Sequence, residues 1–466
     1  MTQDNAVETV HVANSLLAEL AKYTTVDIDN NVASIAVQHN LAYRRMLELA
    51  QETGEASSSA DVQRQQQQQV LAEFRSLFND MTSNQIIVLW TISSRLETDP
   101  ARAEKLLLNA LSLAKQLYAG TFEGKPLDKV MQQRLSVAQG GLSGSETDAE
   151  LVQQLASDVL TATVGLEMLP HLLSVGNLHA QTLPSQAYNL RATVRHARRF
   201  VALYELVSGG QVDGSRVSIK IPSTIPGIQA MRYLSSGGKL DESNLGETMP
   251  EGPIKVLGTA VFAVEQGLGA AQAGGASFIS PYINALAAHF FAVENPTGEA
   301  RDIPVAAGKR SVDEIIFPLQ RLLLRLAKDG ESVTGKPTLM KAASFLDPDE
   351  ALSLCGMDQV TLGAPIVDAL AKMPVSQQGL AIMQRARDQI APATDEEMQR
   401  YGAVQAKLDA QETGYGGWLA QGSPSYVRLE KALTQDDRVR YMLNDALTRF
   451  EGAEKQLRKL FEERMA

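Results

Sequence analysis

Cysteine is almost absent from this 466-residue chain: Cys355 is the only one, so no disulfide can form within it. A reducing compartment is the simplest expectation. Long apolar runs are missing too. No uninterrupted stretch is long enough to span a bilayer, and the N-terminus MTQDNAVETVHVANSLLAEL lacks a basic segment followed by an apolar one. Positive charge is in deficit, with 43 Lys and Arg against 54 Asp and Glu and a formal net charge of −11, which works against a phosphate-neutralising surface. A cytoplasmic protein with neither a membrane nor a nucleic-acid partner is expected. The six histidines (His11, His39, His171, His179, His196, His289) show no metal-ligand spacing, so no metal is expected, and His196 in RHARR reads as part of a solvated helix face.

Nucleotide motifs also fail. GESVTGKPT (330 to 338) approaches a phosphate loop, but Pro337 stands where a magnesium-binding hydroxyl belongs, and the stretch follows a helix and precedes a strand. GLGAAQAGG (267 to 275) has two dinucleotide glycines without the third. No cofactor is expected.

What is present is a globular composition, 44% hydrophobic and 21% charged, and an alternation of strand-like and helix-like runs. From about residue 176 the runs NLHAQT, RVSIKI, IKVLGTAVF, ASFISPY, TLMKAAS and QVTLGAP alternate with segments of helical period. Upstream, KYTTVDID (22 to 29) and NQIIVLW (84 to 90) bring the strand count to eight, which predicts an α/β fold of the closed (β/α)₈, TIM-barrel kind, with a doubly wound sheet as the alternative. The barrel is expected over residues 1–375. Insertions at about 31–79, holding the low-complexity ASSSADVQRQQQQQ, and 118–170, holding GGLSGSETDAE before a helix start, would interrupt it. Residues 376–466 should form amphipathic helices packed on the barrel. A dimer contact or an active-site cover is the other use for them, and a homo-oligomer stays open.

In VSIKIP, Val217, Ile219 and Ile221 alternate with Ser218 and Lys220, so hydroxyl and amine share one face of a strand. One reading is a gatekeeper lysine on an exposed edge. The other is an inward lysine whose desolvated, neutral amine forms a Schiff base with a carbonyl.

A resemblance separates the two. VSIKIPSTIPGIQAMRYL resembles the lysine-bearing strand and helix of the transaldolase family. IKVLGTAVFAVEQGLGAAQAGGASFISPYINAL and LMKAASFLDPDEALSLCGMDQVTLGAPI are similar to its fructose-6-phosphate aldolase branch. The likeness runs over about residues 176 to 372. More loosely, YTTVDID resembles the opening strand and DMTSNQII the family's D-x-T-T-N-P-S motif. The resemblance implies Lys220 as the Schiff-base nucleophile, Asp29 as the acid/base group with Asp27 as its rival, and Asn84 as a substrate-binding residue. It further implies that Gln181, Thr259 and Tyr282 hold a catalytic water, and that Ser280 and Ser344 line the substrate cavity. Gln181 and Tyr282 follow the aldolase branch, where transaldolases carry glutamate and phenylalanine.

Two departures matter. Ala285 and Leu346 stand where relatives using phosphosugars carry basic side chains, and neither can replace a charge-assisted contact to phosphate. Lys309 and Arg310 could substitute, although a surface helix start is their plainer reading. The expectation is therefore a class I aldolase-like enzyme acting on a small hydroxyketone or related carbonyl compound, unphosphorylated. The alternatives are a true transaldolase and a catalytically silent binding protein.

Overall fold

A computed structural model describes residues 15–40, 76–137, 141–239, 245–246, 248–294, 311–332, 334–412 and 415–465. The strands in chain order are β1 (Thr25–Ile28), β2 (Thr121–Phe122), β3 (Lys125–Pro126), β4 (Leu178–Gln181), β5 (Val217–Pro222), β6 (Lys255–Val261), β7 (Phe278–Pro281), β8 (Leu339–Ala342) and β9 (Gln359–Leu362). β2 and β3 make a small antiparallel hairpin, and the other seven form one parallel sheet in the order β1-β9-β8-β7-β6-β5-β4.

The two edges of that sheet meet through a short extended segment, residues 78 to 82. Met81 bridges Ile28 on one side and Leu178 on the other, both in parallel. Backbone bonds from Ile28 N to Asp80 O (3.0 Å), from Met81 N to Asn177 O (3.0 Å) and from His179 N to Met81 O (3.0 Å) complete the join. Gly176 is needed at this crossing, since a Cβ there would lie 1.7 Å from the Asn79 carbonyl oxygen. The result is a (β/α)₈-barrel-like α/β fold with a helical C-terminal extension.

This corrects one predicted strand. NQIIVLW is the start of the helix Gln85–Thr98, whose N-cap Asn84 accepts the Ile87 N–H (3.1 Å). Ile86, Ile87, Val88, Thr91 and Ile92 bury one side of that helix. An apolar run of this length reads equally as strand or helix, and the cap decided it. The strand position belongs to the more polar segment just before it.

Alternation with period two sorts the strands' side chains. Val26, Ile28, Ile219, Ile221, Val256, Ile279, Met340, Val360 and Leu362 pack into the main core with the surrounding helices. Asp27, His179, Gln181, Ser218, Lys220, Lys341 and Thr361 take the other face, and all are buried. Register places Ser218 opposite His179, Lys220 opposite Gln181 and Asp27 opposite Thr361. Helix Asp148–Leu166 starts where GGLSGSETDAE predicts a helix start; the structure shows a Thr147/Glu150 capping box there, and the helix packs its apolar side on helices Pro100–Tyr118 and Leu190–Val207.

His196 is not solvated, as expected from RHARR, but fully buried. Its Nδ1 accepts the Leu183 N–H (3.0 Å), so Nε2 carries the proton and donates to Asp158 (3.0 Å), which also pairs with buried Arg199 (3.1 Å). A basic run on a helix here serves the interior, because Asp158 and Glu251 reach in to pair with it.

Beyond residue 376 the described chain is helical, ending in the 29-residue helix Asp437–Met465. That helix buries Val439, Met442, Leu443, Ala446, Leu447 and Phe450 in a cluster with Ile86, Phe262, Tyr282 and Ala343. These partners follow the C-terminal ends of the strands, so the helix lies across that end of the barrel. Buried Glu454 fixes it there, accepting from Ser185 N (3.3 Å) and Ser185 Oγ (2.8 Å). Among the described residues, no helix is long and apolar enough to cross a membrane.

Candidate active site

Lys220 sits in the middle of β5 and is 2% exposed. Among the described residues it makes no ion pair or side-chain hydrogen bond. Burial pushes its pKa below the ordinary lysine value, the Lys341 ammonium pushes the same way, and the Asp29 carboxylate opposes both. Desolvation disfavours an unpaired ammonium, so the arrangement favours a neutral amine.

Lys220 opens onto a cavity of about 90 Å³ lined also by Asp29, Asn84, Tyr282, His289 and Ser344 among its polar groups. Asp29, Asn84, Tyr282 and Ser344 come one or two residues past the end of β1, the 78–82 segment, β7 and β8. That is the end of a (β/α)₈ barrel where loops build active sites.

Each is held from behind. Thr82 Oγ1 donates to Asp29 Oδ1 (2.5 Å), and its oxygen meets the Thr361 hydroxyl (2.5 Å). Since Thr82 has one proton, Thr361 is the donor in the second bond, and the relay points at the carboxylate. Tyr282 OH lies 3.1 Å from Thr259 Oγ1, and burial raises the phenol well above its usual range, so it stays protonated and able to donate. A register shift between Gly258 and Val261, with Ala260 at φ 53°, puts a bulge directly after Thr259. Gln266 clamps it, donating to Ala260 O (3.2 Å) and accepting the Phe262 N–H (2.8 Å). Strained backbone of this kind persists only where its surroundings over-determine it.

Ser344 is the second non-glycine residue of the site at positive φ, 71°. Its hydroxyl donates to Asn284 O (2.6 Å), so the 2.8 Å contact with His289 Nε2 is donated by the imidazole. Burial lowers the His289 pKa, which keeps the ring neutral with Nδ1 as its acceptor.

Of the residues singled out in the sequence, the cavity brings together Lys220, Asp29, Asn84, Tyr282 and Ser344. Thr259 stands behind Tyr282. Gln181, register partner of Lys220, donates its Nε2 to Gln85 Oε1 (2.9 Å), and its Oε1 is buried with no partner among the described residues. Ser280 is buried in β7 with its Oγ likewise unpartnered. Asp27, the rival acid, lies one strand period below Asp29 and pairs with Lys341 rather than lining the cavity. Ala285 is buried and Leu346 is 40% exposed, and neither lines the cavity. Lys309 and Arg310 lie outside the described residues.

Sequence reasoning missed His289, Trp90, Phe290 and Phe450, all of which line the cavity. Leu286, His289 and Phe290, at i, i+3 and i+4, share one face of the helix Leu286–Glu294, a spacing that could have marked them.

Comparisons with known proteins bear on the family of the chain. A family profile described as transaldolase/fructose-6-phosphate aldolase matches residues 68–413. The chain belongs to that family. Among curated relatives in the family, a transaldolase of Shewanella sp. (strain ANA-3) is 27% identical over 232 residues, covering 49% of this chain and 62% of the relative. A transaldolase of Shewanella baltica (strain OS155 / ATCC BAA-1091) is 28% identical over 229 residues, covering 49% and 61%. One of Aeromonas salmonicida (strain A449) is 27% identical over 217 residues, covering 47% and 57%. The chain thus spans about six-tenths of the length of these transaldolases.

Proposed function

We propose that this family member is a Schiff-base-forming class I aldolase or transaldolase, making or breaking a carbon–carbon bond in a hydroxyketone with Lys220 as its nucleophile. The observation that carries this is one buried, unpaired lysine sharing a cavity with Asp29, Asn84, Tyr282 and Ser344.

The neutral Lys220 amine adds to the ketone carbon, and the carbinolamine takes up a proton and loses water to give a protonated imine. That cation draws electrons from the adjacent carbon, so loss of a proton there yields an enamine. In the cleavage direction, the carbon–carbon bond breaks in place of the carbon–hydrogen bond. Asp29, aligned by Thr82, accepts and returns the proton nearest the amine. Tyr282, aligned by Thr259, serves the hydroxyl made or consumed in the carbon–carbon step. Gln181 Oε1 supplies an acceptor for a water on the Lys220 side. Asn84 uses its side-chain oxygen as a helix cap and has its amide hydrogens left for substrate hydroxyls.

A true transaldolase, moving a dihydroxyacetone unit between sugars, is the second reading, favoured by the names of the relatives. Gln181 and Tyr282 favour the aldolase, which consumes or releases free dihydroxyacetone where a transferase requires an acceptor sugar. Borohydride reduction in the presence of dihydroxyacetone and other small hydroxyketones, followed by peptide mass mapping, tests the shared chemistry. An adduct on Lys220, lost in Lys220→Met, is expected. No adduct with any ketone would leave the silent binding protein as the better reading.

A further inference from the structure

The same cavity has a second half that the Lys220 chemistry does not use. Helix Gln85–Thr98 contributes Ile86, Ile87 and Trp90 to its wall, helix Leu286–Glu294 contributes Leu286 and Phe290, and the C-terminal helix Asp437–Met465 contributes Phe450. The Trp90 and Phe290 rings stand 5.8 Å apart at 50°, a tilted aromatic pair. Trp90 is nevertheless 55% exposed. One exposed aromatic is ordinary, but this one completes an apolar rim on a cavity whose floor is a reactive amine.

The charges point the same way. Among the described lining residues Lys220 is the only lysine or arginine, His289 is kept neutral by burial, and Asp29 is a carboxylate. Arg449 stacks its guanidinium over Phe290, 4.7 Å from the ring centre, and its Nε is held by Asp445 (2.7 Å). Among the described residues a phosphate dianion at this rim would meet apolar rings and lose hydration without a dedicated partner, whereas an alkyl or aryl tail would replace water on both surfaces.

We propose that the aldehyde partner of the Lys220-bound donor is unphosphorylated and carries an apolar tail, which lies between Trp90, Leu286, Phe290 and Phe450. This rests on the Schiff-base reading of Lys220. The enamine carbon forms the new bond to the aldehyde carbon, the carbonyl electron pair moves to the oxygen, and that oxygen takes a proton. Water then hydrolyses the imine, releasing the hydroxyketone product and returning the Lys220 amine.

The test uses the full chain, with the hydroxyketone that traps best on Lys220 as donor. Acceptors are 3-phenylpropanal, glyceraldehyde and glyceraldehyde 3-phosphate, compared by kcat/KM. Phenylpropanal should exceed the phosphate ester about tenfold or more, a contrast within reach of hydrophobic pocket contacts. Trp90→Ala and Phe290→Ala should each cut the phenylpropanal-to-glyceraldehyde ratio several-fold, a readout that general destabilisation would not move. Trapping on Lys220 with the phosphate ester preferred would overturn this proposal and leave the Schiff-base reading standing, and loss of that preference in Arg449→Gln would assign the phosphate to Arg449. Preference for phenylpropanal with an unchanged ratio in both variants would overturn the assignment to this wall. No trapping with any ketone would overturn both readings.

Discussion

Among the described residues two lysines are buried inside this barrel, and their surroundings are opposite. Lys220 and Lys341 are 2% and 0% exposed, so both pay for desolvation. Lys341 meets two carboxylates, Asp27 and Asp80 (3.0 Å to the latter), and its ammonium lies 5.0 Å from the centre of the Phe278 ring. Burial alone would lower its pKa, but the two carboxylates outweigh burial and raise it. Lys220 has no carboxylate in contact, so burial prevails and its pKa falls. Depth in the barrel does not decide what a lysine does. Its partners do.

The network under Lys220 shows how the charged site is kept whole. Asp80 also accepts from Asn177 N (2.7 Å) and from His179 Nε2 (2.9 Å), and these donors together with Lys341 hold its carboxyl far below the usual range despite burial. Asp27 has fewer donors, and burial raises it to about 7. Burial lowers His179 to about 4, so it donates as a neutral ring. This assembly places the Lys341 ammonium near Lys220, where the like charge discourages protonation of Lys220.

The comparison can be broken most severely at Lys220 itself. Lys220→Met should reduce turnover to background and abolish ketone capture, measured by steady-state assay and mass mapping. Tyr282→Phe should leave capture intact while lowering carbon–carbon bond turnover by about 10²–10⁴-fold, the usual range for one acid/base group. Lys341→Met should act on stability instead. Removing one partner of a buried ion pair strands the others, so denaturant titration should show a loss of about 3–5 kcal/mol.

The smallest effect has the opposite sign. Lys220→Met replaces a poorly solvated amine by an apolar side chain and should stabilise the fold by about 0.5–2 kcal/mol near neutral pH, a trade of function for stability. Because folding lowers the Lys220 pKa, the unfolded chain binds the extra proton between the folded value and 10.5. Wild-type stability should therefore rise with pH across that window, relative to Lys220→Met. An unchanged difference between the two proteins over that range would contradict the assigned direction.

What could be read from the sequence follows from what is local. Period-two alternation exposed β5 and put Ser218 and Lys220 on one face, and the spacing of βα units exposed the barrel. Local signals failed at NQIIVLW, where a capping asparagine outranks an apolar run, and at His196, whose partner Asp158 is reached only through another helix. The Lys341 network was invisible because Asp27 and Asp80 lie 314 and 261 residues away in the chain. The apolar rim was equally hidden, since Phe450 reaches it only when the last helix crosses the barrel mouth. Asn84 shows a further limit, serving as a helix cap and a cavity residue at once.

The central claim is that burial without a partner lowers the Lys220 pKa below the ordinary lysine value, while the carboxylates around Lys341 raise that of Lys341. Competitive labelling with trace acetic anhydride, resolved by peptide across pH, measures this for each lysine in the intact protein. The account predicts that Lys220 labels with a midpoint below 10.5 and that Lys341 remains unlabelled throughout. A Lys220 midpoint at or above 10.5, or label arriving first on Lys341, would contradict it.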